Sequence, residues 1–179
     1  MDRLKELVSQ SIIYEKIKRR TGGTCDFYVD TSKLLYNPEI ITLAAEKMIE
    51  IAYARGATHV GGEATSALPL VGAILALSSL NGKLLHGFMI RKELKLYGKS
   101  NIIEGDLPTG CRVLLIDDVT GMGSASKRCC FLLQKEGIEV VGYSSIIDRQ
   151  ETACEQLWEL YGVELFPLFI MDEIAGRKV

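Results

Sequence analysis

The chain has 179 residues, enough for one domain with a substantial core and too few for two of ordinary size. Hydrophobic residues make up 47% and charged residues 25%, which excludes a disordered chain, a collagen-like repeat and a disulfide-rich miniprotein. Lys and Arg number 21 against 23 Asp and Glu, a net charge of −2, so overall charge points to neither nucleic acid nor an anionic membrane surface as a partner.

In chain order, Leu4, Leu7, Val8, Ile12, Ile13 and Ile17 fall at helical spacing and predict an amphipathic helix over residues 2–18. RRTGGTC (19–25) reads as a loop, and residues 27–30 as a short strand. Pro38 suits a first helical position, and helical periodicity continues over 39–54 until Gly56. Residues 58–61 form a strand followed by the small-residue loop GGEATSA (61–67). Residues 69–80 are apolar nearly all round and predict a buried helix. Residues 84–90 return to strand, and the charged stretch 91–101 reads as a loop. A strand over 112–116 runs into Asp117-Asp118, and a loop with Gly121 and Gly123 opens a helix over 125–136. A strand over 139–147, a helix over 152–160, a strand over 163–169 and a short tail over 171–175 complete the chain.

This alternation predicts the α/β class, with an open, mainly parallel twisted sheet and helices on both faces. Such sheets bind ligands at the carboxyl ends of their strands. That rule selects the loops 61–67, 91–101, 117–125 and 148–151. The opening residues MDRLKELVSQ are charged where a signal peptide needs an apolar run, and the apolar stretch around 68–77 is too short to span a bilayer. The cysteines are Cys25, Cys111, Cys129, Cys130 and Cys154, with no Cys-x-x-Cys pair, and neither His59 nor His86 stands at ligand spacing from any of them. Zinc is therefore not expected, and free thiols in a reducing cytosol are. Cys129 and Cys130 are expected to be buried and inert, His59 to be a strand-end residue, and Trp158 to lie in the core; for Phe27 core packing and a place near a ligand both stay open.

The sharpest motif is VLLIDDVTGMGSA (113–125): a buried strand, two adjacent carboxylates, a turn of small residues and a helix. The turn and the helix N-terminus present backbone N–H groups and a positive dipole end, which suit a phosphate. The carboxylates repel that phosphate, so they make sense facing sugar hydroxyls or a hydrated Mg²⁺. A ribose 5-phosphate carrying a metal-bound pyrophosphate meets both demands. An acidic surface turn before a capped helix is the plain alternative. In 91–99, Arg91, Lys92, Lys95 and Lys99 face a single acid, Glu93. A solvated loop explains them, and so does a cluster that stabilises the charge growing on departing pyrophosphate.

IDDVTGMGSA resembles the phosphoribosyl pyrophosphate (PRPP) motif of the type I phosphoribosyltransferases. More narrowly, the chain resembles the orotate phosphoribosyltransferase family across roughly residues 15–174. RKELKLYGKSNIIEG (91–105) is similar to its catalytic loop and following strand, DRQE (148–151) to its Asp-Arg-x-Glu element, RRTGGTCDFYVD (19–30) to its N-terminal segment, and EATSALPL (63–70) to its pyrophosphate loop. FIMDEI near the end fits as well. The resemblance implies one phosphoribosyltransferase domain over 1–179, with a small N-terminal hood. It implies catalytic roles for Lys95, Asp117 and Asp118. Arg91, Lys92, Lys95 and Tyr97 would bind pyrophosphate, and Thr120, Gly121, Met122, Gly123, Ser124 and Ala125 would cradle the 5-phosphate. Arg149, Arg20 and Tyr28 would meet orotate. Mg²⁺ would be the cofactor, placed through PRPP and water near Asp117 and Asp118 rather than ligated directly. PRPP and orotate are the expected partners, with no nucleic acid and no membrane, in a cytoplasmic homodimer whose 91–101 loop enters the neighbouring site.

Several positions depart from the pattern. Gly121 stands where the family usually has threonine, Met122 replaces a small residue, and Arg20 stands for lysine. Ser66-Ala67 and Thr152-Ala153 stand where glycines are common. A phosphoribosyltransferase for another base and a non-catalytic PRPP-binding regulator are the two alternatives these changes leave open.

Overall fold

The structure, a computed structural model, describes residues 1–15, 27–93 and 101–175 and the backbone of residues 17–18 and 24–25. Helix α1 (Asp2–Ser9) buries Leu4, Leu7 and Val8 and is half the predicted length. The Ser11 hydroxyl and N–H both donate to the Val8 carbonyl and turn the chain. The adjacent β-branched Ile12 and Ile13 then adopt the extended conformation such residues favour, forming β1 (Ile12–Ile13). Ile17, counted into the same helical pattern, lies in β2 (Ile17–Lys18), which pairs antiparallel with β3 (Thr24–Cys25). β4 (Tyr28–Val29) pairs antiparallel with β1. These short ribbons form the N-terminal hood.

Sequence periodicity missed α2 (Thr31–Leu35), a single turn capped by the Asp30 carboxylate, which accepts the Ser32 N–H. Helix α3 (Pro38–Ala54) starts as expected: Pro38 opens it, and the Asn37 side chain accepts the Glu39 and Ile40 N–H groups. The remaining elements are β5 (His59–Glu63), α4 (Leu68–Leu80), β6 (His86–Ile90), β7 (Ile103–Gly105), β8 (Arg112–Thr120), α5 (Ser124–Lys135), β9 (Glu139–Asp148), α6 (Ala153–Tyr161), β10 (Leu165–Ile170) and α7 (Met171–Ala175).

Six strands form one sheet in the order β10-β9-β8-β5-β6-β7. Every neighbouring pair is parallel except β6 and β7. Alternation along the central strand β8 builds a core on each face. Leu114 and Ile116 join α1, α3 and α4 in one apolar cluster, while Val113 and Leu115 join Cys129, Cys130 and Leu133 of α5 and Leu157 of α6 in the other. This is the expected α/β architecture.

Two core expectations need correction. Helix α4 buries Leu70, Val71, Ile74 and Ser78 but leaves Gly72, Ala76, Ser79 and Leu80 exposed, because only one of its faces meets the sheet. Trp158 is 64% exposed, since Leu157 takes the core-facing position of α6. Cys129 and Cys130 are buried free thiols, as expected, with burial as the main cause of their raised pKa (about 12 for Cys130). His59 stands at a strand end, as expected, opening β5 and stacked 5.1 Å from His86. Among the described residues no helix is long and apolar enough to cross a membrane.

β5 and β8 approach closely because Gly62 has no side chain. A Cβ there would lie 2.2 Å from the Ile116 carbonyl oxygen and 2.7 Å from the Ala67 Cβ. Gly62→Ala should therefore destabilise the protein by about 3 kcal/mol, the upper range for overpacking a core. Urea denaturation followed by far-ultraviolet circular dichroism measures this, and an unchanged midpoint would contradict it.

Candidate active site

β8 does not stop before its acidic pair but runs through it to Thr120. Asp117 therefore keeps the phase of Val113 and Leu115, while Asp118 follows that of Leu114 and Ile116. Both are only 7% exposed. Three donors converge on Asp117. The Ser66 hydroxyl reaches Oδ1 at 3.0 Å, the Asp118 N–H reaches the same oxygen at 3.0 Å, and the Tyr143 hydroxyl reaches Oδ2 at 2.7 Å. The Val119 N–H donates to Asp118 Oδ1 at 2.7 Å. Burial, and next the neighbouring Asp117 charge, push the Asp118 carboxyl up to about 7.

Beyond Thr120 the chain turns through Gly121, Met122 and Gly123 into α5. Gly123 takes φ +75°, which a glycine adopts freely, and precedes Ser124 at the first helical position. The turn and the end of β9 are stitched together: the Arg149 N–H donates to the Thr120 carbonyl at 2.8 Å, and the Ala153 N–H donates to the Gly121 carbonyl at 3.1 Å. Met122 is half exposed beside this turn, and Ser124 is exposed. The Thr120 hydroxyl is buried without a hydrogen-bond partner among the described residues. Arg149 Nη2 pairs with Glu151 at 3.0 Å, whereas its buried Nε has no hydrogen-bond partner among the described residues. A Cβ at Gly121 would lie 2.9 Å from Glu151 Oε2, so the glycine leaves the room that this acid occupies.

The strand ends β5 and β6 complete the edge. The loop after β5 contains a cis Ala64–Thr65 peptide bond and brings Ser66 to Asp117. Arg91, just past β6, pairs with Glu104 of β7 at 2.7 Å, and Lys92 Nζ lies 3.9 Å from Glu63. Parallel topology thus collects Arg91, Lys92, Asp117, Asp118, Arg149 and the 120–125 turn at the carboxyl ends of β6, β8 and β9. Tyr28 lies on the hood, 47% exposed. Lys95, Tyr97 and Arg20 lie outside the described residues.

No protein-family model matches the chain. The orotate phosphoribosyltransferase of Pyrococcus abyssi is 34% identical over 156 residues, which are 86% of this chain and 82% of that protein. The chain belongs to the orotate phosphoribosyltransferase family. The Streptomyces avermitilis orotate phosphoribosyltransferase is 26% identical over 172 residues, 96% of this chain and 94% of that one. The structure of Mycobacterium tuberculosis orotate phosphoribosyltransferase in complex with inorganic phosphate matches with a TM-score of 0.81 at 26% identity, covering 97% of this chain and 96% of that one.

Two features of this site escaped the sequence. Tyr143 reads in sequence as one more apolar strand residue, although its hydroxyl secures Asp117. Arg128 reads as a surface helix charge, yet it bonds to Glu63 and to the Arg91 and Lys92 carbonyls. Both depend on pairings distant in sequence.

The Asp118 pKa has a pH consequence. Its folded value near 7 exceeds the unfolded carboxylate value of about 3.9, so the native state binds more protons between them. Stability should fall as pH rises through that window. Asp118→Asn should remove this loss, giving a flatter profile and a higher urea midpoint than the parent at about pH 8. Parallel profiles for the two proteins would contradict the assignment.

Proposed function

We propose that the chain transfers the 5-phosphoribosyl group of PRPP to orotate, forming orotidine 5′-monophosphate and pyrophosphate. The observation that carries this reading is the meeting, at one sheet edge, of a phosphate-type turn, a buried carboxylate pair and an arginine whose buried Nε has no hydrogen-bond partner among the described residues. The turn at 120–125 would hold the 5-phosphate through backbone N–H groups and the Ser124 and Thr120 hydroxyls. Asp118 would meet the ribose hydroxyls. Asp117, already held by three donors, would support it. Arg149 would take the orotate carboxylate on its planar fork, recovering the unmade hydrogen bond at Nε. Arg91, Lys92, Lys95 and Tyr97 would face pyrophosphate, and Arg20 and Tyr28 the base. Cations around pyrophosphate stabilise the charge it gains as the bond to the anomeric carbon breaks.

The residues fit Mg²⁺ carried by the substrate. Asp117 and Asp118, both buried near the end of β8, would lie close to it through water. Mg²⁺ bound on pyrophosphate supplies charge neutralisation of the leaving group. The resemblance further supports a cytoplasmic homodimer in which Lys95 serves the neighbouring site.

Incubation with orotate, PRPP and Mg²⁺, followed by orotate absorbance, tests the reaction, and chelation of Mg²⁺ should abolish it. No turnover, or preference for uracil, hypoxanthine or adenine, would overturn orotate as the base. PRPP binding without turnover of any base would identify a regulator instead. Arg149→Ala should raise the KM for orotate by about a hundredfold, the upper range for losing a charged hydrogen bond. At an orotate concentration far below the raised KM, mixing the impaired variants Lys95→Ala and Arg149→Ala should restore part of the activity if sites are shared between subunits. No recovery in a confirmed mixed dimer would exclude sharing.

A further inference from the structure

One guanidinium gathers three segments beside the proposed pyrophosphate region. Arg128, in the second turn of α5, donates from Nη1 to Glu63 Oε1 at 2.8 Å. Its Nη2 donates to the Arg91 carbonyl at 2.5 Å and to the Lys92 carbonyl at 3.1 Å. Glu63, the last residue of β5, keeps only 13% of its side chain exposed. Its other oxygen is the one near Lys92 Nζ.

Glu63 is an awkward residue for this place. A mostly buried carboxylate needs a charged or hydrogen-bonding partner. Unmasked, it would also repel a polyanion at the neighbouring loop. Arg128 meets the first need and cancels the second. Its donors lie in one rigid plane, so a single side chain serves a carboxylate and two successive carbonyls together. A lysine ammonium is a point charge and cannot reproduce that fork.

We propose that Arg128 is a positioning residue for phosphoribosyl transfer. It masks the Glu63 charge and fixes the backbone at Arg91 and Lys92, where two of the proposed pyrophosphate-binding bases leave the sheet. It acts through Glu63 and the two carbonyls rather than on substrate. The inference rests on the functional reading above.

The test compares the parent protein with Arg128→Met, Arg128→Lys, Glu63→Gln and the double variant Glu63→Gln/Arg128→Met. Arg128→Met should raise the KM for PRPP about tenfold, as for loss of a charged hydrogen bond, with the KM for orotate nearly unchanged. Arg128→Lys should fall between the two. The double variant should recover part of the loss, because the exposed charge is gone. Calorimetric titration with magnesium pyrophosphate should give the same order of affinities without requiring turnover. If the parent binds pyrophosphate but forms no product from orotate, the functional reading fails, and the calorimetric order still decides the role of Arg128. Unchanged KM for PRPP and unchanged pyrophosphate affinity in Arg128→Met would overturn the proposal. So would an equal rise in both KM values with no recovery in the double variant, the mark of a purely structural loss. If Arg128→Met folds poorly, Arg128→Lys and the double variant carry the comparison: affinities equal to the parent in both would overturn it.

Discussion

The architecture of the site depends on a buried charge at the end of the central strand. Asp117 stands at the close of an apolar run, and a carboxylate in such a place is costly unless donors surround it. Ser66, Tyr143 and the Asp118 N–H come from three separate segments to do so. The loop after β5 is thereby tied to β8, and β8 to β9. The segments that would carry pyrophosphate, ribose and base are joined through one carboxylate, whose proposed contribution is to hold the site together.

Its neighbour behaves differently because strand alternation turns it to the other face. Asp118 has burial without the same set of donors, and its proton is correspondingly retained. Adjacent acids that read as an equivalent pair in sequence thus become one held by three donors and one whose carboxyl is pushed up by burial and by its neighbour. The distinction arises because β8 continues four residues beyond Ile116. Had the strand ended there, both side chains would sit in a turn.

Much of this was legible in the sequence. Residues 113–125 carried the strand, acids, turn and helix in uninterrupted order, and such local patterns survive folding. Pro38 marked the start of α3 because its fixed backbone angle suits a first helical position, which is also a local matter. Elements governed by distant partners were less legible. Ile12 and Ile13 fit a helical spacing but found a strand partner in residues 28–29. Helix α4 is apolar on all sides, so its hydrophobicity could not name the face that meets the sheet. Arg128 and Tyr143 gain their roles only from residues 26 to 65 positions away.

The displacement of Trp158 to the surface has an optical consequence. It is the protein's one tryptophan, and it faces solvent in the folded state. Its emission therefore starts close to that of an unfolded chain, and unfolding changes its surroundings little. A folding transition followed by tryptophan fluorescence would look shallow while the sheet and both cores were lost. The same exposure makes the indole a useful local probe, able to sense a molecule that docks against α6 without interference from a second fluorophore of its kind.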